Sequence, residues 1–108
     1  MTNAVPGAPA TTTPVHLIPV FEAKPGLERE LVRLLSELQN ASRRDDGCLE
    51  YSVFNDAEAP GTFLLYEKWT SSTALDMHNE QQHVKDFLVA AQHVLAWNLR
   101  VHRLNPLS

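Results

Sequence analysis

Two runs of alternating residues, Cys48 to Asp56 and Thr62 to Trp69, are separated by a short polar stretch that ends in Pro60-Gly61. Alternation over so few residues is the pattern of half-buried strands, and a Pro-Gly turn between them makes an antiparallel hairpin. On both sides of this hairpin the period changes. Before it, Leu27, Leu31, Leu34, Leu35 and Leu38 recur at helical spacing, with Glu28, Arg29, Glu30, Arg33, Glu37 and Gln39 on the opposite side. Asp45-Asp46-Gly47 stops that helix. After the hairpin, Thr70 or Ser71 caps a short helix that runs to about Asn79. Helix continues past a kink over Glu80 to Ala96, with an apolar face of Val84, Phe87, Leu88, Ala91, Val94 and Leu95. Residues that favour strands fill Val15 to Ala23 at one end and Leu99 to Leu104 at the other. The order is β-α-β-β-α-β. It predicts an α+β, ferredoxin-like fold: a four-stranded antiparallel sheet with the helices on one face.

The alternation also assigns faces. In the third strand Phe63, Leu65, Glu67 and Trp69 share one side, and Leu64, Tyr66 and Lys68 the other, so Trp69 and Tyr66 cannot both face one cavity. In the second, Leu49, Tyr51 and Val53 fall together. Pro19 inside the first strand predicts an edge position or a bulge, because proline has no N–H for the ladder. Leu17 and Phe21 lie opposite Ile18 and Val20, so the sheet face away from the helices is apolar as well. An apolar open face implies an interface or a pocket. The expectation is a homodimer through the sheet, with a cavity between helices and sheet.

The totals exclude several classes. One domain accounts for 108 residues. A net charge of −4 argues against nucleic acid or an anionic membrane surface as partner. No apolar run approaches the ~20 residues of a membrane span. A single cysteine, Cys48, excludes an internal disulfide and makes a reducing cytoplasm the expected compartment. Residues 1–14, with Pro6, Pro9, Pro14 and a threonine run, read as a disordered leader, and the folded domain as 15–108. The four glycines are too scattered for a dinucleotide or phosphate loop, which removes the usual flavin and nicotinamide motifs, so no cofactor is expected.

Several segments in this order resemble the antibiotic biosynthesis monooxygenase domain family, small dimeric α/β-barrel proteins that include quinol monooxygenases. They are Asp46-Gly47-Cys48-Leu49-Glu50-Tyr51, Pro60-Gly61, Phe63-Leu64-Leu65-Tyr66-Glu67-Lys68-Trp69, Ala74-Leu75-Asp76-Met77-His78, and His83 with Phe87. The resemblance spans roughly Val15 to Leu104. It implies a ferredoxin-like protomer that dimerises through its sheet. In some members it also implies cofactor-free oxidation of phenolic or quinol substrates by O2. Haem degradation, another activity in the family, is not expected. Its first-strand Asn position holds Pro19 here, its helical Trp position holds His78, and its His position falls near Leu88.

Cofactor-free oxidation asks the protein to hold an electron-rich ring, remove a phenolic proton and exclude water. A neutral histidine can take such a proton near pH 7. By pattern alone His78 and His83 read as buried structural histidines; the resemblance makes them candidate catalytic residues. Trp69, Tyr66, Tyr51 and Phe87 are the candidate aromatic contacts, with Trp69 preferred over Tyr66. The expected function is oxidation of a phenol, hydroquinone or polyketide-like aromatic with O2. The alternatives are a non-catalytic dimeric binding module for a hydrophobic metabolite and an isomerase of a small hydroxy-ketone. Metal binding is not expected, because five residues on one helix set His78 and His83 about 140° apart. Glu67 is expected to pair with an arginine such as Arg100, although a raised-pKa acid is the other reading. Cys48 reads as a small strand residue, Trp97 as core or dimer packing, and His16, His93 and His102 as surface or rim.

Overall fold

A computed structural model describes residues 13–108, so the stretch read as a leader lies outside the described residues up to position 12. The order is β1 (Val15–Glu22), α1 (Glu28–Ser42), β2 (Cys48–Asn55), β3 (Thr62–Trp69), α2 (Ser72–Asn79), α3 (Gln82–Ala91) and β4 (Arg100–Leu104). The strands form one sheet in the order β2-β3-β1-β4, with every neighbouring pair antiparallel. This is the ferredoxin-like α+β arrangement, with the second helical segment divided in two. No helix among the described residues is long and apolar enough to cross a membrane.

The core lies between the inner sheet face and the helices. The stripe Leu31, Leu34, Leu35 and Leu38 of α1 is buried against Val15, Leu17 and Phe21 of β1 and Phe63, Leu65 and Trp69 of β3. Burying such side chains contributes about 1.5–3 kcal/mol each, and here the helical and strand periods both aim them at one layer. The outer face carries His16, Ile18 and Val20 of β1 with Leu64, Tyr66 and Lys68 of β3, all half-buried.

Three local expectations change. Pro19 is neither at an edge nor at a bulge: β1 is a central strand, and its pairing with β3 keeps one offset from Leu17↔Glu67 to Val20↔Leu64. On the other side Pro19 lies opposite Val101 of β4. In β2 a register shift between Cys48 and Glu50 turns Leu49 outward, 53% exposed, while Tyr51 is 2% exposed, so the two do not share a face. The second helical segment breaks at Glu80 and Gln81, where Gln81 is extended, and ends at Ala91 rather than Ala96. Beyond it the Lys24 and Ala96 amides donate to the Val94 and Glu22 carbonyls, tying that turn to the end of β1. Trp97 is largely exposed rather than part of the core.

Candidate functional site

Asp45 stands in the turn between α1 and β2, and backbone bonds hold that turn closely. The Asp45 amide donates to the Ser42 carbonyl at 3.0 Å, and Cys48 donates to the Asp45 carbonyl at 3.1 Å. Gly47 takes φ +81°, and its carbonyl accepts from Thr70 at 2.9 Å, which joins the turn to the start of α2. That φ suits glycine, and a Cβ here would lie 2.5 Å from the Ala74 Cβ. The Arg43 Nε donates to the Tyr51 carbonyl at 2.8 Å.

Ser71 caps α2, and its Oγ accepts from the Ala74 amide at 3.1 Å. Two turns later it places His78 on the buried side. The His78 Nδ1 is 2.7 Å from the Asp45 Oδ2, and the His83 Nε2, at the start of α3, is 2.8 Å from the same oxygen. A carboxylate accepts only, so each ring donates its N–H there, and His78 keeps Nε2 as a free acceptor. The His78 side chain is 3% exposed, Asp45 10% and His83 26%. The His78 ring lies 4.4 Å from the Trp69 ring and 5.4 Å from Tyr51, centroid to centroid. Burial in that aromatic setting lowers the His78 pKa, against the opposing pull of Asp45, and so favours the neutral ring near pH 7.

His78 lines a cavity of about 380 Å³ between the inner sheet face and α2 and α3, bounded on the far side by Leu99, Val101 and Arg103 on and before β4. The volume suits a one- or two-ring organic molecule. Tyr51 and Phe87 also line it. Burial pushes the Tyr51 phenol well above its usual value, so it remains a hydroxyl. Phe87 packs edge-on to Phe21 at 5.7 Å.

The other residues singled out in the sequence lie elsewhere. Trp69 is fully buried and is not on the cavity wall; it backs the His78 ring. Tyr66 is on the outer sheet face, where its hydroxyl is 2.8 Å from the His16 Nδ1, and the period of two that puts Trp69 inward puts Tyr66 outward. His83 lines a separate groove between α1 and α3 and reaches His78 through Asp45. The helix-angle objection to a metal at His78 and His83 does not apply, because the two stand on different helices.

One residue gains a place that the sequence did not give it, and another takes the second of its two expected readings, the raised-pKa acid, rather than the first. Asp45 read only as part of a helix stop, and nothing local separates it from Asp46. Glu67 does not pair with Arg100. Its Oε1 accepts from the Trp69 Nε1 at 2.9 Å, whereas Arg100 lies opposite Val20 and so shares the outer face. Glu67 is 5% exposed and lines the cavity, and burial raises its pKa, partly offset by the Trp69 bond. Its alternation with Phe63, Leu65 and Trp69 was the available signal. The Cys48 thiol is pushed up to about 11, chiefly by burial, which disfavours a thiolate nucleophile.

The family profile described as antibiotic biosynthesis monooxygenase matches residues 14–90. The chain belongs to this family. A monooxygenase-family relative, Rv0793 of Mycobacterium tuberculosis, named as a proposed monooxygenase, is 30% identical over 97 residues, covering 90% of this chain and 95% of that protein. YcnE of Bacillus subtilis, named likewise, is 29% identical over 83 residues, covering 77% and 87%. The solved structure of PA3566 from Pseudomonas aeruginosa superposes with a TM-score of 0.85 at 30% identity, covering 93% of this chain and all of that one. The antibiotic biosynthesis monooxygenase fold thus extends over nearly the whole described chain, and β4 lies beyond the profile match.

Proposed function

We propose that this chain is a monooxygenase that oxidises a small phenolic, hydroquinone or polyketide-like aromatic with O2. The observation that carries the reading is the His78 ring: buried, neutral, held at Nδ1 by Asp45, and on the wall of a cavity sized for one or two rings. Family membership and the names of Rv0793 and YcnE support the reaction class. The substrate lies against Tyr51 and Phe87. His78 takes the phenolic proton on Nε2, and the phenolate so formed is electron-rich enough to reduce O2. Carbon–oxygen bond formation, with the proton returned from His78 to the distal oxygen, gives a ring hydroperoxide. Loss of water then leaves a carbonyl, so one oxygen atom enters the product and the other leaves as water. All the electrons come from the substrate.

Asp45 fixes the His78 tautomer and stabilises the imidazolium once the proton has moved. His83 shares that carboxylate and is the second polar contact in the relay. Trp69 holds the ring plane from behind, and Glu67, whose pKa burial raises, places a carboxyl group on the cavity wall. The chain works as a homodimer through the outer sheet face, where Ile18, Val20 and Leu64 are half-buried around the His16–Tyr66 pair. A reducing cytoplasm suits its single thiol.

The test is oxygen uptake by the purified protein with a panel of phenols, hydroquinones and anthrone-like substrates. Consumption above autoxidation that falls in His78→Gln supports the reading. Consumption no faster than autoxidation across the panel sinks it, and turnover of a hydroxy-ketone under argon would replace it with isomerisation.

A further inference from the structure

We propose that Asp45, His78 and His83 form a binding site for a divalent transition-metal ion of the zinc class. Three donor atoms, the Asp45 Oδ2, the His78 Nδ1 and the His83 Nε2, lie within 4.8 Å of one another. They come from three segments: the turn after α1, the last turn of α2 and the first turn of α3. Two imidazoles and one carboxylate are a donor set that suits zinc and its neighbours, and it leaves a fourth position for water. The partly exposed His83 gives that position its access to solvent.

Seating an ion requires the three donors to rearrange. Tetrahedral bonds of about 2.0–2.1 Å set neighbouring donors about 3.3 Å apart. The two nitrogens now stand 2.7 and 2.8 Å from the Asp45 oxygen, so that oxygen has to withdraw by about half an ångström while the nitrogens close on a common centre. Trp69 and Tyr51 hold His78 in place, and the more exposed His83 and Asp45 do the moving. Proton bookkeeping also closes. Each neutral ring now carries its proton on the nitrogen that faces Asp45. When that nitrogen takes the ion, the proton is held on the other nitrogen of the same ring. The carboxylate offsets half of the dication's charge.

Binding has a functional consequence that rests on the reading above. With the ion on Nδ1, His78 carries its proton on Nε2 and can no longer accept one from a phenol. The ion therefore acts as a brake on the base.

Isothermal titration of the chelator-treated full chain with Zn2+, and the visible spectrum of bound Co2+, test the site. The wild type is expected to bind one ion per chain, with a tetrahedral Co2+ spectrum. His83→Ala, altered at a partly exposed position and checked for an unchanged thermal melt, is expected to weaken binding by more than about tenfold. Asp45→Asn, which keeps a hydrogen-bond acceptor, is expected to do the same. His102→Ala, on the exposed edge strand, leaves binding unchanged. An absence of zinc binding by the wild type, or His83→Ala and Asp45→Asn variants that bind as tightly as it does, would overturn the site. Because titration needs no substrate, binding without oxygen uptake sustains the site while removing the monooxygenase reading, and uptake without binding does the reverse.

Discussion

His78 takes its protonation state from its neighbours rather than from its own chemistry. Burial disfavours the imidazolium and holds the pKa below the ordinary 6.5, so the base is free at lower pH than an exposed histidine. The acid limb of kcat/KM against pH is therefore expected below 6.5, and a limb above that value contradicts the assignment. Replacing His78 by Gln should cost about 10²–10⁴ in kcat with little change in the thermal melt. Glu67 behaves in the opposite sense. Its folded pKa is raised above 4.5, so the stability it contributes is complete below that value and is lost as pH climbs through the folded pKa. Thermal melts from pH 4.5 upward should show the wild type losing ground to Glu67→Gln, which is neutral throughout. Parallel curves for the two proteins would mean that Glu67 is ionised in the fold at all these pH values.

The turn after α1 and the cap of α2 bring Asp45 to His78 across a separation of 33 residues. Gly47 makes this possible with a left-handed φ and a lack of side chain where Ala74 and Thr70 approach. Gly26 has a similar φ of +88° but open space around it. Denaturant melts should therefore show Gly47→Ala costing more than about 2 kcal/mol, from backbone strain plus the clash. Gly26→Ala should cost only about 1 kcal/mol. Equal losses would mean that the close approach at Gly47 is relieved without cost. Ser71→Ala, which removes the cap, should cost about 1 kcal/mol. At this level the leucine stripe of α1 and the Ser71 cap were readable, since each is set by residues within a turn or two. The kink after Asn79 was expected, but the extended Gln81 that parts α2 from α3 was not, because no proline or glycine marks Glu80-Gln81. The β2 irregularity was silent, because alternation says nothing about which residue the partner strand skips.

Among the described residues the sheet leaves one face uncovered by helices, and that face is not polar. Half-buried Ile18, Val20 and Leu64 stand beside Tyr66, and a small domain gains from covering them. Light scattering should give twice the 12.1 kDa chain mass, and Ile18→Lys should shift the protein towards monomer. A wild type that stays monomeric at micromolar concentration removes the dimer. In that case Tyr66, hydrogen-bonded to His16 on this face, has no counterpart surface to meet.

The amino-acid order settled what depends on short-range periodicity: the β-α-β-β-α-β sequence, the buried stripes, and the opposite facing of Trp69 and Tyr66. It also carried the resemblance that named the family. Folding decided the pairings between distant side chains. Asp45 meets two histidines 33 and 38 residues away, and Glu67 bonds its near neighbour Trp69 while Arg100 faces the other way. Periodicity assigns a residue to a face. Which charge or ring it meets there depends on where turns, breaks and register shifts bring the elements together, and those are set by the packing of the chain as a unit.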